Sequence, residues 1–186
     1  MSDKTKCVLL FLFLLLVYVL LVVWHVFLSP SVEDLLVDES AFPAGWHISE
    51  NVPRPIPLAP CSCPTGVAEN TDLHFYSSGA GASERIWRYR TVHAASRGFD
   101  QRVRSVFREN EFHSPWVWPD ELAYQSSAAN RYRIGCSISK GQVLPGCAYV
   151  AQYGPYVIHF QAGISPNVMS YADFIHVLEA IDERME

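Results

Sequence analysis

Twenty-one consecutive residues, Val8 to Leu28, contain no Asp, Glu, Lys or Arg, and no other feature restricts the fold of this chain as strongly. About twenty apolar residues rising 1.5 Å each cross a hydrocarbon core of roughly 30 Å, so the run predicts a single transmembrane helix. A cleaved secretory signal also places Lys ahead of an apolar stretch. Three details favour an uncleaved signal anchor instead. The run exceeds the usual apolar region of about 7–15 residues, Ser29-Pro30-Ser31 lacks a small-x-small site, and no Cys follows that could take a lipid. Lys4 and Lys6 precede the run while Glu33, Asp34, Asp38 and Glu39 follow it, and a basic flank predicts a cytoplasmic N-terminus. The expected organisation is a cytoplasmic segment 1–7, a span 8–28, a juxtamembrane segment 29–40 and an extracytoplasmic domain 41–186, in a single-pass protein of the cell membrane. His25, beside Trp24 near the far end of the span, fits an interfacial position.

Residues 31–186 suit one domain with its own core. Removing Lys4, Lys6 and Asp3 from the chain's 14 basic and 19 acidic residues leaves 12 against 18. That balance carries no broad electrostatic footprint for nucleic acid. All but Lys140 of those cations are Arg, a bias suited to planar, hydrogen-bonded pairing.

Cys7 lies at the cytoplasmic edge, leaving Cys61, Cys63, Cys136 and Cys147 outside. Four Cys in an oxidising compartment predict two disulfides in one of three connectivities. Cys136 and Cys147 lie opposite one another if a hairpin turns at Lys140-Gly141-Gln142, where cross-strand separations approach disulfide range. The favoured alternative staples Cys61 and Cys63 to that hairpin by two bridges, since a Pro-rich segment with little core gains most from cross-links closing long loops. A four-Cys zinc site competes less well, because one residue between the first two ligands departs from knuckle spacing. No metal or cofactor is assigned.

Along the domain, Val32, Leu35 and Leu36 have helical spacing behind a Ser31 cap. Phe42-Pro43-Ala44-Gly45-Trp46 leads into a stretch with Pro53, Pro55, Pro57, Pro60 and Pro64, which cannot form a helix or central strand and reads as a strap against the core. Strands are expected at Asp72 to Ser77 and Glu84 to Val92, joined by a turn over Ser78 to Ser83. An amphipathic helix over Ala94 to Glu111 buries Ala95, Phe99, Val103, Val106 and Phe107, with Gly98 weakening its first turn. Leu122 to Ser127, Arg131 to Ser139, Cys147 to Tyr153 and Tyr156 to Ala162 read as extended, with Gly154-Pro155 as a turn. Ser170 and Asp173 form a capping box for a helix burying Phe174, Val177, Leu178 and Ile181. The fold class expected is α+β: a single N-terminal transmembrane helix, then an antiparallel sheet of about five strands with two helices packed on it.

The N-terminal span, the Phe42-Pro43-x-Gly45-Trp46 motif, the paired Cys and the ββαβββα order together resemble bacterial membrane-anchored extracytoplasmic PsbP/LpqN-like or kinase-sensor-like domains. That resemblance implies binding rather than catalysis and transfers no site residue.

Histidines 47, 74, 93, 113, 159 and 176 form no H-x-H, H-x-x-x-H or H-E-x-x-H pattern, and no G-x-S-x-G elbow exists. Alternation places His159 with Val157 and Gln161, opposite Tyr156, Ile158 and Phe160; if the aromatic face is buried, His159 is solvated. No catalytic residue is assigned. Two constellations suggest recognition instead. Arg88 and Arg90, with Arg131 and Arg133, would form a basic patch if their strands were neighbours, fit for carboxylate or phosphate; the plain alternative is a solvent face with local acidic partners. Trp116 and Trp118, bracketed by Pro115 and Pro119, suit an interface anchor, or a loop folded back over the core. The expected function is a membrane-anchored extracytoplasmic binding module with a protein partner at or near the membrane and an unspecified ligand. A structural accessory subunit of a membrane complex is the second reading, and a hydrolase without a recognisable motif the third.

Overall fold

The computed structural model describes residues 10–20, 30–49, 66–77, 80–108, 115–138 and 145–186. The chain divides into two compact units, Met1–Ser31 and Val32–Glu186. In the first, residues 10–20 are helical (α1) and their large apolar side chains are exposed. Among the described residues no helix is long and apolar enough to cross a membrane. The transmembrane helix expected at Val8–Leu28 is therefore corrected: its described part is shorter than the roughly twenty residues a span requires, and residues 8–9 and 21–28 lie outside the described set.

The second unit is an antiparallel sheet of six strands, one more than expected, in the order β1-β2-β3-β6-β5-β4. The strands are β1 His47–Ile48, β2 Val67–Ser77, β3 Ala80–Tyr89, β4 Arg131–Ser137, β5 Gly146–Tyr153 and β6 Tyr156–Gly163, with helices α2 Val92–Val106 after β3 and α3 Tyr171–Met185 after β6. The connection through α2 carries the chain to the far edge, and β5 and β6 then return to pair with β3 at the centre.

Local chemistry sets these boundaries. Ser77 pairs with Ala80, so β3 takes up Ala80 to Ser83, which composition assigns to the turn. Thr91 Oγ1 accepts from Ala94 N at 3.1 Å, starting α2 two residues before the apolar periodicity does. In α3, Ser170 Oγ accepts from Asp173 N and Asp173 Oδ2 accepts from Ser170 N, closing the reciprocal cap that the sequence indicates. Gly154 turns β5 into β6 with φ of 54°, a conformation that favours glycine. The extended segment expected at Leu122 to Ser127 is not a strand. Leu122 and Tyr124 are buried, but the backbone N–H of Tyr124 bonds locally to Leu122 O and that of Ser127 to Asp182 Oδ2.

Both sheet faces are covered. On one, Leu73, Phe75, Ile86, Tyr149, Ile158 and Phe160 meet Phe174, Val177, Leu178 and Ile181 of α3 together with Val32, Leu36, Phe42 and Trp46. On the other, Trp87, Tyr89, Val150 and Val157 meet Ala95 and Phe99 of α2 and the following Phe107. The segment after Ser31 is thus part of the core, and Trp46 Nε1 ties it to Val168 O at 3.0 Å. The Pro-rich stretch 50–65 lies outside the described residues.

Candidate functional site

Strand alternation sends Asn70, Asp72 and His74 of β2, Ser83, Arg85 and Trp87 of β3, and Val157, His159 and Gln161 of β6 to the α2 face. The register aligns Asp72 with Arg85, Arg85 with His159, and His159 with Val150, so an acid, a guanidinium and an imidazole stand in one row. From above, α2 adds Arg102, whose guanidinium lies 4.1 Å from the centre of the Trp87 ring; that of Arg85 lies 5.7 Å from the same ring. Trp87 is thus the floor beneath two cations, each held by the ring's negative face.

Charge in this cluster is unevenly satisfied. Asp72 is 2% exposed, and it ion-pairs with Arg85 and stands 3.5 Å from His74 Nε2. Arg102 has no carboxylate partner among the described residues. Burial lowers the pKa of Arg102, and the neighbouring Arg85 lowers it further while Tyr89 opposes. His159 Nε2 is enclosed and without a partner. Burial, then Arg102 and Arg85, push its imidazole down to about 3, so the ring is neutral near pH 7. Here His159 departs from the solvated position expected of it. The aromatic side of β6 is indeed buried, but α2 covers the opposite side as well.

The four arginines marked by sequence do not come together. Their strands are separated by β6 and β5, and Arg88, opposite Tyr156, lies on the α3 side, where it pairs with Glu69 at 2.7 Å. Arg90 is exposed beyond the end of β3. Arg131 lies on the α2 side, bonded to Gln152 Oε1, Ser96 O and Ser96 Oγ and paired with Asp100 at 3.2 Å. Arg133 stacks over Phe107 at 4.7 Å. Sequence reasoning passed over Arg85 and Arg102. The usable signal was the i, i+2 spacing of Arg85 and Trp87, which puts a cation beside an aromatic ring on one strand face.

The tryptophan pair divides. Trp116 packs edge-on to Phe107 at 4.9 Å and covers core. Trp118 is 50% exposed, with Nε1 donating to Leu122 O at 2.7 Å. Cys136 and Cys147 are opposite one another in the β4–β5 register and form a disulfide. Stapling of Cys61 and Cys63 to this hairpin is thereby corrected, since both hairpin sulfurs are consumed; Cys61 and Cys63 themselves lie outside the described residues.

Elsewhere, a concavity of about 440 Å³ is bounded by Tyr124, Ile175, Glu179, Asp182, Glu183 and Glu186. Its one buried acid is occupied internally. Asp182 accepts from Tyr124 and Tyr153 hydroxyls at 2.8 and 2.6 Å, from Ser126 Oγ at 2.7 Å and from Ser127 N at 3.0 Å, which makes it a structural tie between α3 and residues 124–127. Among the described residues no group of three His, Cys, Asp or Glu is placed to hold a metal ion. The chain matches no protein-family model and no curated protein.

Proposed function

We propose that the Val32–Glu186 domain is an extracytoplasmic binding module that recognises an anionic group on a ligand or partner at the Arg85–Trp87–Arg102–His159 cluster. One observation carries this reading. Arg102 holds a partly desolvated charge over Trp87 with no carboxylate partner among the described residues, next to a buried imidazole nitrogen with no hydrogen bond. Desolvating a cation and a polar nitrogen without compensation costs stability, and an incoming anion is what would return that cost. The Cys136–Cys147 disulfide supports a place outside the cytoplasm, where such bonds persist. The sequence resemblance to PsbP/LpqN-like domains, drawn from a ββαβββα order to which the structure adds a short first strand, favours binding over catalysis.

Titration of the full chain with a panel of small anions, followed through the Trp87 indole N–H signal, tests the reading. The indole is assigned with Trp87→Phe. Saturable shifts at Trp87 that vanish in Arg102→Gln are expected; an indole indifferent to every anion at constant ionic strength would refute the site.

A further inference from the structure

We infer that the group bound between Arg85, Arg102 and His159 is a tetrahedral oxyanion, a phosphoryl or sulfuryl group, and not a carboxylate. This rests on the anion-binding reading and adds the shape of the anion to it. Arg85 and His159 are cross-strand partners, with Cβ atoms about 5 Å apart as in any such pair, and both stand on the sheet. Arg102 descends from α2 over the same Trp87 ring. The donors therefore converge from two directions, a floor and a roof, and do not lie in one plane.

A carboxylate has two oxygens in a plane and is satisfied by a single guanidinium fork. Arg85 already has a carboxylate charge partner in Asp72. What remains is a second guanidinium, with no carboxylate partner among the described residues, and an enclosed imidazole nitrogen without a hydrogen bond on another element, and three acceptor oxygens on one centre can meet both while still facing Arg85. Charge agrees with shape. Asp72 offsets Arg85, and Arg102 is left as the uncompensated cation, so an anion of one or two charges fits without further neutralisation. One row along the sheet, Ser83 faces Gln161; Ser83 is half-buried and Gln161 exposed. These uncharged hydrogen-bonding groups at the rim suit the organic part of an ester.

The test titrates the isotope-labelled full chain with inorganic phosphate, sulfate, acetate and malonate at matched ionic strength, reading the Trp87 indole and His159 imidazole signals. Phosphate and sulfate are expected to give saturable shifts, and the carboxylates none. Arg102→Gln should weaken phosphate binding at least tenfold, as loss of a charge-assisted contact does. Arg104→Gln, on the exposed side of the same helix, should leave it unchanged. Circular dichroism checks both folds. If Arg102→Gln fails to fold, Arg102→Lys retains charge without the fork and should weaken binding severalfold. Carboxylates binding in preference to phosphate would overturn the tetrahedral assignment while leaving an anion site. Binding of none of the four would remove the site itself, and equal losses in Arg102→Gln and Arg104→Gln would reduce it to diffuse attraction. Glycerol phosphate and vesicles containing phosphatidic acid then separate a soluble ester from a lipid headgroup, either one supporting the assignment.

Discussion

Glu84→Gln is expected to abolish a loss of stability that the native protein suffers between about pH 6.5 and 8. Glu84 is 0% exposed on the α3 side of β3. Its Oε2 accepts from Val37 N at 3.0 Å, and Oε1 has no partner. Burial pushes its carboxyl from 4.5 up to about 8, against the Val37 hydrogen bond and the positive Arg184. Between those values the folded chain holds a proton that the unfolded chain has released, so stability falls as pH rises, by about 1.4 kcal/mol per unit. His159 acts with opposite sign. Its imidazole, facing Arg85 from β3 and Arg102 from α2, is held at about 3 against an ordinary 6.5, so the unfolded chain binds the extra proton and stability rises with pH across that interval. The two slopes cancel from about 4.5 to 6.5, leaving Glu84 alone above, where about 2 kcal/mol is lost by pH 8. Urea unfolding of the full chain at half-unit steps from pH 5 to 8.5 measures this. Glu84→Gln should be flat above pH 6.5 and expose the His159 rise below it; His159→Gln should show a continuous fall from about pH 5. A native curve that stays level to pH 8.5, or a fall that survives in Glu84→Gln, would refute the argument.

Asp182→Ala strands two buried tyrosine hydroxyls that donate at 2.8 and 2.6 Å, and should cost about 3–5 kcal/mol in chemical denaturation; Tyr153→Phe should cost about 1 kcal/mol. Joint Cys136→Ser and Cys147→Ser opens a bridge between residues 11 apart in sequence, with an expected loss of about 3 kcal/mol from regained chain entropy, read as a lower denaturant midpoint. Gly98→Ala, which would add about 1 kcal/mol in a free helix, should instead destabilise by about 1–3 kcal/mol, because its Cβ would fall 2.1 Å from the buried Tyr89 hydroxyl oxygen. A raised melting temperature in Gly98→Ala would show that Tyr89 can move aside.

Elements whose signals are local were legible. The Ser170–Asp173 cap, the Phe174–Ile181 stripe and the Gly154-Pro155 turn each depend on a few neighbouring residues, and each stands where the spacing puts it. Gly98 looked like a flaw in α2 because propensity counts only the helix; the missing Cβ is where α2 rests on Tyr89. Leu122 and Tyr124 mimic a strand by alternating inward, yet a strand also needs a ladder, and here the Leu122 and Tyr124 N–H groups bond locally to Pro119 O and Leu122 O while Asp182 takes that of Ser127. The arginine patch failed on parity. With apolar cores on both faces, alternation on β3 separates Arg85 from Arg88 without saying which of them shares a side with Arg131, and only the strand order settles it. The hairpin disulfide was readable as a register, but a preference for long-loop closure ranked it below a staple that its own geometry excludes.

The position of the cluster follows from how unequally the two faces are covered. Helix α3 and the Val32–Trp46 segment together close one face over strands β2 to β5, leaving Phe75, Tyr149 and Phe160 fully buried. The other has α2, Phe107 and Trp116, gathered over Trp87, Val150 and Val157. The row Asp72–Arg85–His159–Val150–Arg133 runs from a buried acid on β2 through a partly exposed guanidinium and imidazole to the buried Val150 and the exposed Arg133. A row serving packing alone would continue as Val150 does, since apolar side chains at the margin of a helix lose nothing by partial burial. Here the margin holds a paired guanidinium, another without a carboxylate partner among the described residues roofing the same tryptophan, and a partly exposed imidazole whose Nε2 is enclosed. Removing charge from such places commonly stabilises a fold, so their presence at the boundary between core and solvent is better accounted for by what they bind than by what they hold together.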